Sequence, residues 1–165
     1  MIRQAELSDI SSIMNIIDDT LKDMHSYNNY QWDENYPKKN DFIKDIKKKE
    51  LYVEEIDENI AGFICINKAQ TPEYKELIWS SNKEAIVIHR MAVAINYRRK
   101  GIGTKLMNFA ENLGKQQNIY YIKTDTNSLN VKMNNLFKKF SYNFIGEVNF
   151  PSKETPFYCY DKMLK

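Results

Sequence analysis

The amino-acid sequence predicts an α/β fold, α+β in arrangement, built on a mixed sheet. Two observations carry this prediction. Residues 85–94 form an apolar run typical of a central strand, and a helical pattern at 103–117 and a strand pattern at 120–124 follow it. Strand, helix and strand in that order indicate a βαβ unit with parallel strands. Residues 51–55 and 60–67, by contrast, have the pattern of an antiparallel hairpin around a polar turn.

The first third of the chain predicts one short strand and two helices. Residues 2–5 are extended, residues 8–9 are good helix-capping types, and apolar residues then recur at helical spacing as far as Met24. An aromatic, polar stretch at 25–37 leads to a shorter helix around 42–46, whose lysines form a solvated face. Each helix is expected to bury one face.

The remaining elements complete the predicted sheet. Gly62, in the second hairpin strand, indicates a bulge or a close backbone approach. A loop is predicted at 68–83, and a helix at 130–139 precedes two final strands at 142–150 and 157–164. Because no repeat, low-complexity tract or linker interrupts the sequence, residues 1–165 are expected to form a single domain.

Composition and charge exclude several classes of protein. The chain has 165 residues, 42% hydrophobic and 28% charged, as in ordinary globular domains with a hydrophobic core. A net charge of +2 and a pI of about 8.4 are weak for a dedicated nucleic-acid binder. Nucleic acid is therefore not an expected partner. A membrane is not expected either, since no apolar stretch approaches the length of a membrane span.

Two cysteines, Cys65 and Cys159, lack the spacing of a zinc site, so no metal is expected and both thiols are predicted to be reduced. The sequence has no signal or transit pattern near residue 1. We therefore expect a cytoplasmic protein.

The turn at residues 98–104 carries the clearest chemical signal. Gly101 and Gly103 allow the backbone to pass close to a ligand, and the helix that follows offers unpaired N–H groups and the positive end of its dipole. Thr104 adds a hydroxyl. Positive charge comes from Arg98, Arg99 and Lys100. The segment therefore suits a diphosphate, and the alternative is a glycine-rich turn that binds no ligand.

Other phosphate-binding interpretations fit less well. Leu106 stands where the dinucleotide motif GxGxxG needs its third glycine, and the GK[ST] of a Walker loop is absent. Three clustered cations at a glycine-rich turn also match a pyrophosphate better than the extended backbone of a nucleic acid.

Residues 88–106, IHRMAVAINYRRKGIGTKL, closely resemble the acyl-CoA-binding segment of the GNAT family of N-acetyltransferases, and the signature [RQ]xxGx[GA] is complete. The order of elements resembles that fold along nearly the whole chain. The resemblance implies a twisted, mostly antiparallel sheet of six to seven strands with about four flanking helices and a central parallel pair that splays apart. It also implies acetyl transfer from acetyl-CoA, the cosubstrate, to a primary amine, with a small-molecule acceptor and direct attack in a ternary complex.

The resemblance further implies where acetyl-CoA binds. Pantetheine would pair with the backbone of residues 91–93 at the splay, and the pyrophosphate would lie over residues 98–104. Asn130 would hydrogen-bond the pantetheine arm, cap its own helix, or do both. The predicted cofactor contacts are Met91, Ala92, Val93, Arg98, Arg99, Lys100, Gly101, Ile102, Gly103, Thr104 and Asn130.

Phe137 departs from the family pattern. Many members carry a tyrosine at this position, seven residues after the asparagine, where it protonates the departing thiolate, and a phenyl ring cannot do so. Either another group, such as a phenol from Tyr142, Tyr158 or Tyr160, or water serves as the acid, or the thiolate leaves unassisted with its charge stabilised by nearby amides. The remaining alternative is a catalytically silent acyl-CoA sensor.

His89 is the first candidate for the general base. Its ordinary pKa, about 6.5, suits proton transfer, and strand alternation predicts that it shares a face with Met91 and Val93. Its position resembles that of a histidine in the arylalkylamine N-acetyltransferase branch, although a structural histidine is equally consistent with the pattern. Glu84, before the central strand, and Asp125, at the end of the next strand, are the other candidates, with loop or capping roles as alternatives.

The acceptor is expected to bind between the early helices, the loop at 68–83 and the final hairpin. The predicted substrate contacts are Tyr30, Trp32, Trp79 and Tyr158, although aromatic residues packed under long loops would give the same pattern. A peptide or protein amine is the alternative acceptor. The oligomeric state stays open, although similar proteins are commonly homodimers.

Overall fold

The computed structural model describes residues 1–165 and contains one seven-stranded sheet in the order β1-β2-β3-β4-β5-β7-β6. The strands are β1 (Ile2–Gln4), β2 (Leu51–Ile56), β3 (Asn59–Asn67), β4 (Ile86–Val93), β5 (Tyr121–Asn127), β6 (Asn143–Val148) and β7 (Phe157–Met163). The helices are α1 (Ile10–His25), α2 (Lys39–Lys47), α3 (Ile102–Gln116) and α4 (Val131–Lys139). Only β4 and β5 are parallel, so the predicted fold class is confirmed.

The helices lie in two layers. The apolar faces of α3 and α4 pack on one side of the sheet, around Leu106 and Phe137, and those of α1 and α2 pack on the other, around Ile13 and Phe42. All four of these side chains are at most 1% exposed. None of the four helices combines the length and the apolarity that crossing a membrane requires.

The central parallel pair separates after a short contact. β4 and β5 are paired only from Ile86 opposite Ile122 to Ile88 opposite Thr124, and both strands then continue without pairing to each other. The Thr124 hydroxyl donates to the Ile88 carbonyl at 3.0 Å at this last paired position. Beyond this position, the backbone groups of the two strands do not bond to each other.

A β-bulge in β4 lies at the point of separation. Ile88 pairs with Ile66 and Met91 pairs with Ile64, so two residues of β4 stand opposite one residue of β3. The two residues are His89 and Arg90. A bulge re-aims side chains and increases local twist.

The bulge corrects one expectation from the sequence. Simple alternation predicted His89 on the same face as Met91 and Val93, and this is wrong because the inserted residue reverses the alternation. Met91 and Val93 pack under α3, whereas His89 lies on the opposite face of the sheet.

Gly62 allows β3, β4 and α3 to meet closely, as one of the two interpretations of its position predicted. A Cβ atom there would lie 2.8 Å from the Ala92 carbonyl oxygen and 3.2 Å from the Ile102 side chain. The glycine therefore fixes how closely the first turn of α3 approaches the end of β4.

Candidate functional site

The N-terminus of α3 forms the glycine-rich turn. Gly101 caps the helix with φ = +79°, and no side chain bonds to the first turn. The N–H groups of Ile102, Gly103 and Thr104 have no acceptor within the protein, and the first helical bond runs from Lys105 to the Gly101 carbonyl. Three unpaired donors at the positive end of a fifteen-residue helix favour an anion.

The space above this turn is open. A Cβ at Gly101 would meet nothing within 4 Å, and one at Gly103 would make only ordinary contacts, 3.5 Å to Leu136 and 3.8 Å to Met91. The packing of the protein itself therefore does not require glycine at position 103.

Arg98 ties the turn to α1. Its guanidinium donates to Asp23 at 2.7 Å and to the Val93 carbonyl at 3.3 Å, and Lys132 of α4 reaches the same carboxylate at 2.8 Å. Burial opposes ionisation of Asp23, but these two cations hold its pKa below the ordinary value. Arg99 and Lys100 are exposed and bond to no carboxylate. The predicted cationic cluster thus divides into one structural arginine and two free cations.

Asn130 begins α4, at the far end of the splay. Its Oδ1 accepts from the Met133 N–H at 3.2 Å, which confirms the capping role, and its Nδ2 donates to Gln31 Oε1 at 3.1 Å. The same Gln31 oxygen accepts from the Thr126 hydroxyl at 3.0 Å and the Asn127 N–H at 3.1 Å. Three donors therefore converge on one amide carbonyl oxygen.

Phe137 lies in the core at 1% exposure, with its ring between those of Tyr142 and Tyr160. The Tyr160 hydroxyl donates to Asn134 at 2.7 Å, and the Tyr142 hydroxyl is buried without a partner. Tyr158 packs its ring edge-on against Phe144. Position 137 therefore carries a core side chain, and the Tyr160 phenol is already committed to another bond.

A cavity of about 630 Å³ opens on the other face of the sheet, where β4 and β5 separate. We call it the β4–β5 cavity. Its floor is formed by residues 88–90 and Asp125, and its walls come from residues 31–36, residues 71–74 and residues 150–157. It lies in the region where the sequence predicted the acceptor.

His89 lies on the floor of this cavity. Its Nε2 is 2.6 Å from Asn67 Oδ1, and since the Asn67 Nδ2 donates to Glu50, the amide oxygen faces the ring and Nε2 carries the hydrogen. Burial, with a contribution from the charge of Arg90, lowers the pKa of His89 to about 4. The ring is therefore neutral at pH 7, with Nδ1 as its basic atom.

Asp125 lies across the splay from His89, one residue beyond the last paired position of β5. Its Oδ2 accepts a 2.6 Å hydrogen bond from the hydroxyl of Tyr74, a residue that is 3% exposed. Burial raises the pKa of the Asp125 carboxyl to about 6; the Tyr74 hydrogen bond acts against this rise and the Glu73 carboxylate adds to it. A carboxylate with a pKa near neutrality in a cavity is typical of acid–base catalysis.

The other predicted residues divide between cavity and surroundings. Trp32 lines the cavity and is 5% exposed. Trp79 supports it indirectly, since its indole N–H donates to the Tyr74 carbonyl at 2.8 Å. The residues that lie outside it are Tyr30, which stacks on His25, Tyr158, and Glu84, which forms an exposed pair with Lys68.

Two ion pairs that the sequence did not predict hold the cationic side chains of the cavity lining. Arg90 bonds to Asp45 at 2.6 Å and to the Tyr36 hydroxyl at 2.6 Å. Lys153 bonds to Asp33 at 2.8 Å and to the Tyr30 carbonyl at 2.9 Å. No periodic pattern signals such pairs, because their members are far apart in the sequence.

The family profile of the acetyltransferase (GNAT) family matches residues 13–142. The chain belongs to the GNAT acetyltransferase family. This family transfers acetyl groups from acetyl-CoA to amines, so the cosubstrate and the reaction class predicted from the sequence are confirmed. A comparison with curated proteins found no match.

Solved structures agree with this GNAT assignment. A protein of Staphylococcus aureus Mu50, assigned as an acetyltransferase, is 34% identical with a TM-score of 0.79, and the match covers 100% of this chain and 99% of that one. A GNAT acetyltransferase of Streptococcus agalactiae 2603 is 23% identical with a TM-score of 0.87, and the match covers 100% of this chain and 95% of that one. The YncA protein of Salmonella typhimurium, solved with its cofactor acetyl-CoA, is 11% identical with a TM-score of 0.74. That match covers 100% of this chain and 94% of the YncA chain.

Proposed function

We propose that this GNAT protein acetylates a primary amine on a small molecule, by direct attack in a ternary complex, with Asp125 as the general base. The observation that carries the proposal is the β4–β5 cavity, whose floor contains the first unpaired residues of the two splayed strands. An acceptor in the cavity and a thioester in the splay would meet at this point.

The residues of the cofactor side fit acetyl-CoA. The unpaired N–H groups of residues 102–104 and the free cations Arg99 and Lys100 would hold the pyrophosphate. The donors from Thr126, Asn127 and Asn130 already surround an amide carbonyl, that of Gln31, so they suit the amides of a pantetheine arm. When bound, acetyl-CoA supplies an activated acetyl thioester.

Asp125 is a better general base than His89 on two grounds. Its pKa of about 6 leaves it ionised but basic at pH 7, whereas the pKa of His89, about 4, makes the imidazole a weak base. His89 is also held by Asn67, which suits a structural role in the bulge. Asp125 would accept the proton that the acceptor ammonium loses, and Tyr74 would orient the carboxylate.

No phenol replaces the missing acid in this proposal. Phe137 cannot donate a proton, and the Tyr160 hydroxyl already donates to Asn134. Tyr142 is buried in the core, and neither it nor Tyr158 lines the β4–β5 cavity. A thiolate is an adequate leaving group near neutral pH, so the departing sulfur would take its proton from solvent. The same residue, Phe137, favours one second candidate function, a silent acyl-CoA sensor.

The shape of the cavity supports a small molecule over a polypeptide. Lys153, on the loop between β6 and β7, bonds to Asp33 and to the Tyr30 carbonyl on the opposite wall. This bridge joins two walls where an extended peptide would need an open groove.

Calorimetric titration with acetyl-CoA, together with CoA-thiol release against a panel of amines, tests the proposal. We expect binding and amine-dependent release. Binding without release on any small amine would favour the sensor or a polypeptide acceptor, and absence of binding would refute the assignment of the site at residues 98–104.

A further inference from the structure

We infer that the acceptor is a primary amine on an apolar, ring-sized body that carries no carboxylate or phosphate beside the amine. The inference rests on the proposed function, since it takes the β4–β5 cavity as the acceptor site. It follows from the charges on the cavity lining and from its aromatic walls.

The two cations of the lining are already neutralised. Three guanidinium N–H groups of Arg90 donate hydrogen bonds to Asp45 and Tyr36. Lys153 donates to Asp33 and to the Tyr30 carbonyl. Each of these cationic side chains is 14% exposed. An incoming carboxylate would lose its hydration without gaining an unpaired cation, which is unfavourable.

One of the carboxylates of the lining, by contrast, has no cationic partner. The lining holds two carboxylates, and Asp33 is paired with Lys153 whereas Asp125 has only the neutral Tyr74 hydroxyl as a partner. Asp125 is therefore the one lining charge without an opposite charge. The cavity therefore attracts an ammonium group and offers an anion no unpaired cation.

The walls provide the apolar contacts. Trp32, Tyr74 and Phe157 are at most 6% exposed, and Tyr36 and Phe150 complete a set of five aromatic residues. Aromatic faces bind both apolar rings and cations. A volume of about 630 Å³ lies within the roughly 300–1,000 Å³ typical of small-molecule pockets, so a body of one or two rings fits.

A matched set of amines tests the inference. Phenethylamine, phenylalanine and phenylalanine amide share the ring and the amine, and only phenylalanine carries a carboxylate. We expect kcat/KM for phenylalanine to be at least about tenfold below that for phenethylamine. Phenylalanine amide, in which a neutral amide replaces the carboxylate, should recover most of this loss. Equal or faster turnover of phenylalanine would overturn the inference.

Binding separates this inference from the proposed function. The same three compounds are titrated by calorimetry into the protein saturated with CoA. If phenethylamine binds and phenylalanine does not, but no thiol is released from acetyl-CoA, the inference stands and the catalytic proposal fails. If neither the amine nor the amide binds or reacts, the inference is wrong.

A charge variant adds a second test. Asp33→Asn keeps the Oδ1 acceptor for the Asn35 and Tyr36 N–H groups but leaves Lys153 without its carboxylate. We expect the preference for phenethylamine over phenylalanine to fall at least threefold. Asp19→Asn, an exposed site on α1, is the matched control and should leave the preference unchanged. Equal preferences in the two variants would contradict the charge argument.

Discussion

Asp125→Asn should stabilise the protein at pH 8 while it abolishes most turnover. Folding raises the pKa of Asp125 from the ordinary 3.8 to about 6, so the folded state favours the protonated carboxyl. The stability from this group is fully present below pH 3.8 and is lost as the pH rises through 6. At pH 8 the wild type carries the cost of a buried charge, which the uncharged amide avoids.

The pKa shift sets the size of the effect. A rise of about two units corresponds to roughly 3 kcal/mol as an upper limit. Since Asp125 is partly exposed and an amide also costs energy to bury, we expect a gain of about 1–2 kcal/mol, or roughly 3–6 °C in Tm. Linkage further predicts that the stability advantage of Asp125→Asn over the wild type shrinks by about 1.4 kcal/mol when the pH is lowered from 8 to 5.

Urea unfolding at pH 8 and pH 5, with CoA-thiol release at pH 8, measures both quantities. Loss of the base should lower kcat by roughly 10²–10⁴. Glu84→Gln removes an exposed carboxylate outside the cavity and should change stability by less than about 0.5 kcal/mol. If the Asp125→Asn protein is no more stable than the wild type at pH 8, the burial argument is refuted, and turnover within tenfold of the wild type would refute the catalytic one.

Variants at three further positions test the rest of the site. Gly103→Glu should weaken acetyl-CoA binding at least about tenfold in Kd, because its carboxylate brings negative charge and bulk to the turn proposed for the pyrophosphate. The exposed Asn112→Ala of the same helix should leave Kd unchanged. His89→Gln, which can still donate to Asn67 Oδ1, should keep kcat within about tenfold, and a loss above 100-fold would make His89 the base. Asn130→Asp keeps the capping oxygen but lacks the Nδ2 donor, so calorimetry should give weaker acetyl-CoA binding while stability stays nearly normal. Asn130→Ala also removes the cap, and urea unfolding should show a loss of about 1 kcal/mol in the free energy of unfolding.

The features that the sequence predicts are those that a short segment determines. The turn at residues 98–104 follows an apolar strand and precedes an amphipathic helix, so its position and its free N–H groups follow from local pattern. The parallel pair follows from the order of elements. The structure extends β5 to Asn127, three residues beyond the pattern, because Asp125, Thr126 and Asn127 pair with β7, which strand propensity does not reveal.

The features that the sequence misses depend on register and distant partners. One inserted residue in β4 moves His89 to the other face, and a bulge leaves no distinct sign in an apolar run. Asp125 was a candidate only through its strand-end position, whereas its hydroxyl partner, Tyr74, is 51 residues away in the sequence. Lys153 and Asp33 are 120 residues apart. Only the fold brings these groups together.

This difference has a physical origin in the two halves of the site. The pyrophosphate part of the proposed cofactor site is built from backbone N–H groups at one helix terminus, and such donors exist wherever a helix begins. The proposed acceptor half is built from side chains on five separate segments, some of them joined by the Arg90–Tyr36 and Lys153–Asp33 bonds. A single substitution in one of these segments changes the charge or shape that the acceptor meets, and leaves the helix terminus intact. Acceptor preference can therefore diverge while acetyl-CoA binding is kept, and charge at position 33 is the simplest place for that divergence to begin.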